Sequence, residues 1–407
     1  MVDQKIYIFA LAAHGKGISG SDRIFIEFAR RWNKKIPVTV FVWDEGYRMC
    51  LRQGLGLSSI KYQVSRMLPW KNFGFFINYI ARIIEGVKIG LTLKIDNISN
   101  IIIYSASEFW MDSLPVFILK LRCSETTWVA AWFQTAPKPW IGFTEGKRKD
   151  RYYFRTLIYW LIQQPIKRLI SDFADFVLVN NEDEKKQFPE LEKLGKAIVV
   201  QGAVDLGNIK KWQEKLGKLP KKYDAVFQGR FHPQKGVMEL IDIWKIVVHE
   251  RPKAKLILIG DGPLMKSVKS KVQSLKLGNN IKLTGYLFDG PEKYRIFCQS
   301  KLVVHPAFYD SGGMAAAEVM AFGLPGLSFN LKSSKLYYPK GMLRVPLGNL
   351  EKFAAEILRL LSNSGLYRRL GSDALKEISK NWSWQERADS ILNIVLNEQR
   401  LPEIKKI

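Results

Sequence analysis

Length, composition and charge narrow the classes of protein to which this chain can belong. Its 407 residues exceed what one hydrophobic core usually supports, so two domains are expected. With 47% hydrophobic and 25% charged residues, the composition is that of a globular protein and excludes extensive disorder. The net charge of +25 favours an anionic partner, which is a nucleic acid, an anionic membrane or a phosphate-bearing small molecule.

The sequence predicts a cytoplasmic protein that is soluble or peripheral on the inner face of the cell membrane. Three scattered cysteines, Cys50, Cys123 and Cys298, are too few for a disulfide framework or a zinc site. The N-terminal run IYIFALAA is too short for a signal peptide with its cleavage site and predicts a first strand. No stretch reaches the roughly 18 apolar residues that a membrane-spanning helix needs.

Short apolar runs bounded by turn residues alternate with amphipathic stretches along most of the chain. Over residues 1–205 they predict buried strands in KIYIFALAA, VTVFVW, IIIYSA, TWVAAWF, FVLVNN and AIVVQG. Residues 206–222 are charged, contain Gly and Pro, and are interpreted as a linker. The pattern restarts over residues 223–380 with DAVFQG, AKLILIG, IKLTGY, KLVVHP and LPGLSF, and residues 381–407 form a last amphipathic helix. This alternation predicts an α/β protein with two doubly wound parallel sheets.

The loop after the first predicted strand, HGKGISGSDR, is rich in glycine. Gly15, Gly17 and Gly20 let the backbone approach a ligand and leave N–H groups exposed before the helix that carries Arg23. Because ligands bind at the carboxyl ends of parallel strands, this loop is a candidate binding element. The spacing also permits a nicotinamide-cofactor interpretation, for which Asp44 would be the ribose-binding acid.

Three loops of the second half also follow predicted strands. After DAVFQG, the residues Gly229, Arg230 and Lys235 form a glycine-bounded pair of cations suited to a diphosphate, although surface cations usually only solvate a face. Gly260 opens a Gly-Asp-Gly-Pro turn, for which a purely structural role is the alternative. After IKLTG, the backbone of Tyr286–Leu287 is a candidate contact for a base edge.

The stretch from His305 to Phe329 places a polar turn, Asp-Ser-Gly-Gly, between a strand and a small-residue helix. Backbone N–H groups at such a helix start suit an anion. Asp310 and Glu318 lie eight residues apart, about two helical turns, so both can face one ligand. Taken alone, the stretch also fits an ordinary strand, loop and helix with a capping Asp.

In this order and spacing, GRFHPQKG, LILIGDGP, IKLTGYL and HPAFYDSGGMAAAEVMAFGLPGLSF resemble the retaining glycosyltransferases of family 4, which have the GT-B fold. The resemblance extends over most of residues 223–380, and the helix in 381–407 resembles one that crosses back to the first domain. It implies catalytic roles for Arg230 and Lys235 on the donor diphosphate, for Asp310 on the donor sugar and for Glu318 on the ribose. The implied donor-binding set is completed by Gly17, Gly20, Gly229, Gly260, Tyr286, Leu287, Ser311, Gly312, Gly313 and Met314.

Two positions depart from the family pattern. The family signature has Glu at both ends of Glu-x7-Glu, whereas the first acid here is Asp310, whose side chain is one methylene shorter. Many relatives carry a His after the strand that corresponds to TWVAAWF, where this chain has Gln134. His14 is a candidate substitute, although a lone loop His is more often a bystander. Arg23, His14 and Gln134 are the candidate residues on the acceptor side.

The resemblance implies a sugar transferred from a UDP- or GDP-linked donor to a glycan or lipid-linked acceptor in cell-envelope polysaccharide synthesis. Two cations and helix-terminal N–H groups can stabilise a nucleoside diphosphate leaving group, so no metal and no cofactor are expected. The acids Glu182-Asp183-Glu184 fit the first turn of a helix better than a Mg²⁺ site. With no evident nucleophile, retention is ascribed to a same-face mechanism. A catalytically inactive sugar-nucleotide-binding module is the alternative.

Two basic, aromatic-rich segments suggest contact with an anionic membrane. Residues 138–168 hold eight cations and two acids, and residues 61–94 hold six cations and one acid. A buried aromatic stripe with a solvated basic face explains such a helix equally well. Nucleic acid is not an expected partner, because no RNP-type, zinc or helix-turn-helix motif is present in the sequence.

Overall fold

A computed structural model of the chain describes residues 4–15, 17–56, 60–66, 73–95, 101–140, 153–310 and 313–400. The described residues fall into two compact units. The first contains residues 4–140, 153–201 and 384–400, and the second contains residues 202–383.

The first unit is built on a seven-stranded, fully parallel sheet. Its strands are β1 Lys5–Phe9, β2 Val38–Trp43, β3 Lys61–Ser65, β4 Ile101–Ser105, β5 Thr127–Trp132, β6 Phe176–Val179 and β7 Ala197–Val199. They lie in the order β3-β2-β1-β4-β5-β6-β7, with Ile8 opposite both Val40 of β2 and Tyr104 of β4. The central strands are buried on both faces, as expected for a parallel sheet covered by helices.

Eight helices of the first unit are defined among the described residues. They are α1 Gly20–Trp32, α2 Asp44–Arg52, α3 Gly74–Thr92, α4 Trp110–Arg122, α5 Tyr153–Phe173, α6 Glu182–Lys185, α7 Pro189–Lys193 and, at the far end of the chain, α16 Trp384–Arg400. Helix α16 packs on α1 inside this unit: the Trp32 indole N–H donates to the Ala388 carbonyl at 2.8 Å, and Trp384 meets Phe28 edge to face.

The second unit is built on a six-stranded, fully parallel sheet. Its strands are β8 Tyr223–Gln228, β9 Leu256–Ile259, β10 Ile281–Gly285, β11 Ser300–His305, β12 Gly326–Phe329 and β13 Met342–Val345. The order is β10-β9-β8-β11-β12-β13, so the strand order reverses between β8 and β11. In doubly wound sheets, ligands bind outside the carboxyl ends of the strands at this switch point.

Eight helices accompany this second sheet. They are α8 Leu206–Leu216, α9 Val237–Glu250, α10 Met265–Ser274, α11 Pro291–Cys298, α12 Met314–Met320, α13 Lys332–Tyr337, α14 Leu350–Ser362 and α15 Ser364–Asn381. Helix α9 coincides with the predicted helix VMELIDIWKIVVHE, and its buried side chains Leu240, Ile241 and Trp244 join the core beneath β8 and β9.

The interpretation of residues 206–222 as a linker needs correction. Helix α8 begins at an Asp205 cap, whose carboxylate accepts from the Asn208 N–H at 3.1 Å, and it packs on α11. Ile209 is buried, and Trp212 and Leu216 pack against the same core. These apolar residues recur at helical spacing between the charges, so the stretch is an amphipathic part of the second unit.

None of the described helices is long and apolar enough to cross a membrane.

Candidate functional site

Two loops meet at the switch point of the second sheet. The loop after β8 contains a short 3-10 turn, Pro233–Lys235, that leads into α9. The loop after β11 is tied to it by two backbone bonds, because the N–H groups of Phe308 and Tyr309 both donate to the Gln234 carbonyl, at 2.8 and 3.2 Å. The predicted diphosphate loop and the segment that leads to Asp310 therefore lie side by side.

Asp310 is the centre of this junction. Its carboxylate lies 3.1 Å from the Lys235 ammonium, accepts from the Gly313 N–H at 3.2 Å and contacts the His305 imidazole Nε2. Burial alone would raise the pKa of Asp310, but the charge of Lys235 and the contact with His305 outweigh it and hold that pKa well below its usual range. Asp310 is therefore an ionised acceptor at neutral pH.

Glu318 is held by two donors at the ends of other elements. Its Oε2 accepts from the Gln228 amide at 2.6 Å and from the Lys293 ammonium at 2.8 Å. Gln228 is the last residue of β8, and Lys293, on α11, is almost fully buried and also pairs with Asp289. A carboxylate fixed in this way presents a defined acceptor geometry, which suits a pair of hydroxyl groups.

Three of the residues that hold Asp310 and Glu318 were not predicted as site residues: His305, Gln228 and Lys293. His305 ends β11 and begins the stretch from His305 to Phe329, so its position before the polar turn could have marked it as a site residue. Gln228 is likewise the last residue of its strand, although a lone amide carries little information. Lys293 is one of many lysines on a helix, and nothing in its sequence context distinguishes it.

Two glycines are required by the close approach of these loops. Gly236, at the start of α9, has φ +65°, and a Cβ there would lie 1.9 Å from the Pro306 carbonyl oxygen. Gly260, after β9, has φ +147°, and a Cβ there would lie 1.9 Å from the Gly229 carbonyl oxygen. Only glycine lets the neighbouring loops pack this tightly.

The remaining predicted donor residues of the second unit lie after β8 and β10 and at the start of α12. Arg230 is exposed directly after β8, while Tyr286 and Leu287 follow β10 at the edge of the sheet. Gly313, with φ +62°, caps the start of α12, and Met314 is its first residue. Ser311 and Gly312 lie outside the described residues.

The glycine loop of the first unit is arranged around backbone and carboxylate contacts. The Gly15 N–H donates to Glu45 at 3.2 Å, and the exposed His14 ring lies 3.0 Å from the Ala12 carbonyl. Gly17 precedes the Ser19 cap of α1, whose first residue is Gly20. The Arg23 guanidinium lies 3.7 Å from Glu27 on the same helix.

Gln134, which follows β5, is part of a polar network. Its carbonyl accepts from the Gln163 amide at 2.8 Å and from the Tyr159 hydroxyl at 3.3 Å. Tyr159 also donates to Glu108, a buried acid after β4 that was not predicted, at 3.1 Å. Burial raises the pKa of Glu108 to about 7.

A second buried acid supports the loop after β1. Asp112 accepts from the Ala12 N–H at 2.9 Å and pairs with the Ser107 hydroxyl. Burial raises its pKa to about 8. Both acids lie in the segment that follows the carboxyl end of β4, Glu108 before α4 and Asp112 in its first turn.

Acidic clusters with the geometry of a metal site are absent from the part of the chain that the structure describes. Glu182, Asp183 and Glu184 form the first turn of α6, capped by Asn181. Glu182 pairs with Lys185 at 2.9 Å and Asp183 with Lys186 at 2.8 Å, as acids at a helix start commonly do.

Part of the second unit matches a described protein family. Residues 208–377 match the family described as Glycosyl transferases group 1. The matched range lies within the second unit and contains Asp310 and Glu318 together with the residues that hold them.

Curated relatives are similar to parts of the chain. Poly(glycerol-phosphate) alpha-glucosyltransferase of Bacillus subtilis (strain 168) is 25% identical over 163 residues, 39% of this chain and 24% of the relative. D-inositol 3-phosphate glycosyltransferase of Mycobacterium marinum is 27% identical over 238 residues, 55% of this chain and 50% of the relative. The matched regions thus span between about a quarter and a half of the length of these relatives.

Solved structures are similar over almost the whole chain. Anabaena Alr3699/HepE in complex with UDP and glucose matches with a TM-score of 0.70 and 17% identity, covering 97% of this chain and 99% of that one. A mutant of S. aureus TarM in complex with Fondaparinux, alpha-GlcNAc-glycerol and UDP matches with a TM-score of 0.69 and 13% identity, covering 96% and 99%. At these identities the likeness concerns the fold, and the chain has the GT-B fold predicted from its sequence.

Proposed function

We propose that this chain is a retaining glycosyltransferase of family 4 that transfers a sugar from a UDP- or GDP-linked donor to a glycan or lipid-linked acceptor. It would act in the synthesis of cell-envelope polysaccharide or glycoconjugate, and it would be located in the cytoplasm at the inner face of the membrane. The observation that carries the proposal is the pair of side-chain clusters around Asp310 and Glu318 at the switch point of the second sheet. Lys235 and His305 hold Asp310 there, while Gln228 and Lys293 hold Glu318.

The two clusters suit the two ends of a nucleotide-sugar. Glu318 offers a fixed carboxylate to the ribose hydroxyls, and Asp310 offers one to a hydroxyl of the sugar. Lys235, Arg230 and the N–H groups at the start of α9 offer positive charge to the diphosphate between them. The two solved structures described above contain UDP, which agrees with a nucleoside diphosphate at this fold's site.

The proposed step needs neither a metal nor a protein nucleophile. The bond between the anomeric carbon and the diphosphate oxygen breaks, and its electron pair stays on the diphosphate. The acceptor oxygen then bonds to the anomeric carbon on the face that the leaving group vacates, and its proton passes to the departing phosphate. Cations that meet the charge developing on the leaving group lower the barrier.

Turnover of nucleotide-sugars tests the proposal. Purified chain is incubated with UDP- and GDP-linked sugars and a lipid extract as acceptor source, with EDTA present, and release of nucleoside diphosphate is measured. We expect turnover of one donor class by the wild type, its loss in Lys235→Ala and Glu318→Ala, and full activity in Lys266→Ala, an exposed lysine on α10. Full activity in either site variant contradicts the site, and donor binding without turnover of any acceptor favours the inactive module.

A further inference from the structure

Helix α3 of the first unit exposes a continuous apolar stripe. Phe76, Ile77, Ile80, Ile84 and Leu91 each expose between 41% and 67% of their surface. At 100° per residue these positions fall within one arc of about 100°, and from Phe76 to Leu91 the stripe runs about 22 Å along the helix axis. Large apolar side chains gathered in this way on a surface mark an interaction site.

The opposite side of α3 explains why the stripe is outside. Gly86 and Gly90 face α4 so closely that a Cβ would meet the Met111 carbonyl at 3.0 Å and the Pro115 carbonyl at 2.9 Å. Arg82 is buried on the inner side, where its guanidinium donates to the Leu11 carbonyl at 3.1 Å. These residues and the buried Ile89 line the inner side of α3, whereas Phe76, Ile80 and Ile84 are directed away from the core.

The charges along the stripe point to an anionic partner. The exposed Lys88 lies beside the stripe and the exposed Lys94 follows the end of α3, and Glu85 is the only acid in residues 73–95. The Glu85 carboxylate is turned to the end of β3, where it accepts from the Ser65 hydroxyl at 3.1 Å. Lysines beside an apolar face are typical of a helix that lies in a membrane interface.

We infer that the α3 stripe is a membrane-docking surface that inserts its apolar side chains into an anionic lipid leaflet while Lys88 and Lys94 contact the headgroups. A second copy of this chain is a poorer occupant. Its own Lys88 and Lys94 would face the same stripe, and two molecules of net charge +25 repel each other. The inference rests on the first unit alone and stands independently of the donor site in the second.

Of the two basic, aromatic-rich segments, 61–94 exposes the denser apolar surface among the described residues. In the segment 138–168, the basic run at 147–151 lies outside the described residues. The described part of the segment exposes Trp140, Phe154 and Leu161 as large apolar side chains, which are spread over more than 20 residues. The denser stripe and its lysines therefore make α3 the element to test.

Vesicle flotation tests the inference with charge and apolar variants. Full-length protein is mixed with phosphatidylcholine vesicles with or without phosphatidylglycerol, and the floated fraction is measured. We expect binding to the anionic vesicles, weakened at least about tenfold in Ile80→Asp/Ile84→Asp and about tenfold in Lys88→Glu/Lys94→Glu. Because all four side chains are exposed, thermal unfolding and nucleotide binding should be unchanged.

Matched controls place the same changes elsewhere on the surface. Leu194→Asp/Leu375→Asp and Lys266→Glu/Lys269→Glu alter exposed residues outside α3 and should float like the wild type. The inference is overturned if the wild type does not bind anionic vesicles or if Ile80→Asp/Ile84→Asp binds as well as the wild type. It is also overturned if the wild type is a dimer that these two substitutions convert to a monomer without any change in vesicle binding.

Discussion

Asp310 is fixed by partners that lie close to it in the chain and in the neighbouring loop. The Lys235 ammonium, His305 Nε2 and the Gly313 N–H surround its carboxylate, so the side chain is fixed close to its own loop. A longer acid would carry the same charge further from these partners. We therefore expect the donor sugar to lie nearer to this loop than it would with Glu.

Replacing Asp310 with Asn should separate the charge from the shape of this group. Asn keeps one acceptor oxygen but leaves Lys235 without its counter-charge, so we expect turnover to fall at least about a hundredfold and stability to fall by about 2–4 kcal/mol. Initial rates and urea unfolding measure the two effects. Asp310→Glu, which keeps the counter-charge for Lys235, should lose less stability than Asp310→Asn. Wild-type turnover by Asp310→Asn would show that this carboxylate does not contact the donor.

Lys293 is expected to act through Glu318. It is buried, and its ammonium lies 2.8 Å from the Glu318 carboxylate. In Lys293→Met that carboxylate would keep the Gln228 amide but lose the ammonium, so we expect the donor KM to rise about tenfold with a smaller change in kcat. Lys282→Met, an exposed lysine on β10, is the control. An unchanged donor KM in folded Lys293→Met would remove Lys293 from the site.

Glu108 and Asp112 predict a pH dependence of stability. Burial raises their folded pKa values to about 7 and about 8, whereas in the unfolded chain both ionise near pH 4. The folded state therefore binds more protons between these values, and stability falls as pH rises from about 4 to 8.

Urea unfolding across this pH range measures the contribution of Asp112. Asp112→Asn should lose roughly 1–3 kcal/mol less than the wild type between pH 5 and 8.5, because Asn cannot ionise. Asp183→Asn removes an exposed carboxyl and should leave the wild-type slope unchanged. Equal slopes in wild type and Asp112→Asn would show that Asp112 does not titrate in this range.

At the scale of elements, the junction of the two loops depends on Gly236. A methyl group there would overlap the Pro306 carbonyl, and the positive φ would be strained in addition. We expect Gly236→Ala to lower stability by about 2–4 kcal/mol and to weaken nucleotide binding with it. Thermal unfolding provides the measurement.

Gly278→Ala is the matched control for this element. No heavy atom lies within 4 Å of the Cβ position at Gly278, so its stability should change by less than about 0.5 kcal/mol. Equal melting temperatures for the two variants would show that the loops are not packed as tightly as described.

Strands that are buried on both faces were predictable, because apolar runs such as VTVFVW have no other stable environment in a globular chain. The edge strands β3 and β13 were not predicted. KYQVS of β3 is largely exposed and has no apolar run, and MLRV of β13 is short.

Helix α8 was mistaken for a linker, since its charges hide the spacing of Ile209, Trp212 and Leu216. The predicted site residues came from loops after strands, whereas Lys293 depends on a tertiary contact that no local pattern shows.

At the scale of the molecule, the chain combines two sheets of similar design with different surroundings. The sheet of the second unit ends in cations and fixed carboxylates. The central strands of the first unit end near acids, Glu108 and Asp112, whose pKa values are raised by burial. This contrast agrees with a proposed charged donor on the second unit and a less charged acceptor on the first. The excess of basic residues is then available for phosphate groups, on the donor and on lipid.

Calorimetric titration of UDP and GDP in the presence of EDTA tests the donor site most directly. The wild type and Lys266→Ala should bind one of the two nucleotides at a single site. Lys235→Ala should bind it at least about tenfold more weakly, since one charge-assisted contact contributes about 1.5–3 kcal/mol. Failure of the wild type to bind either nucleotide, or equal affinity in Lys235→Ala, would contradict a diphosphate site at the end of β8.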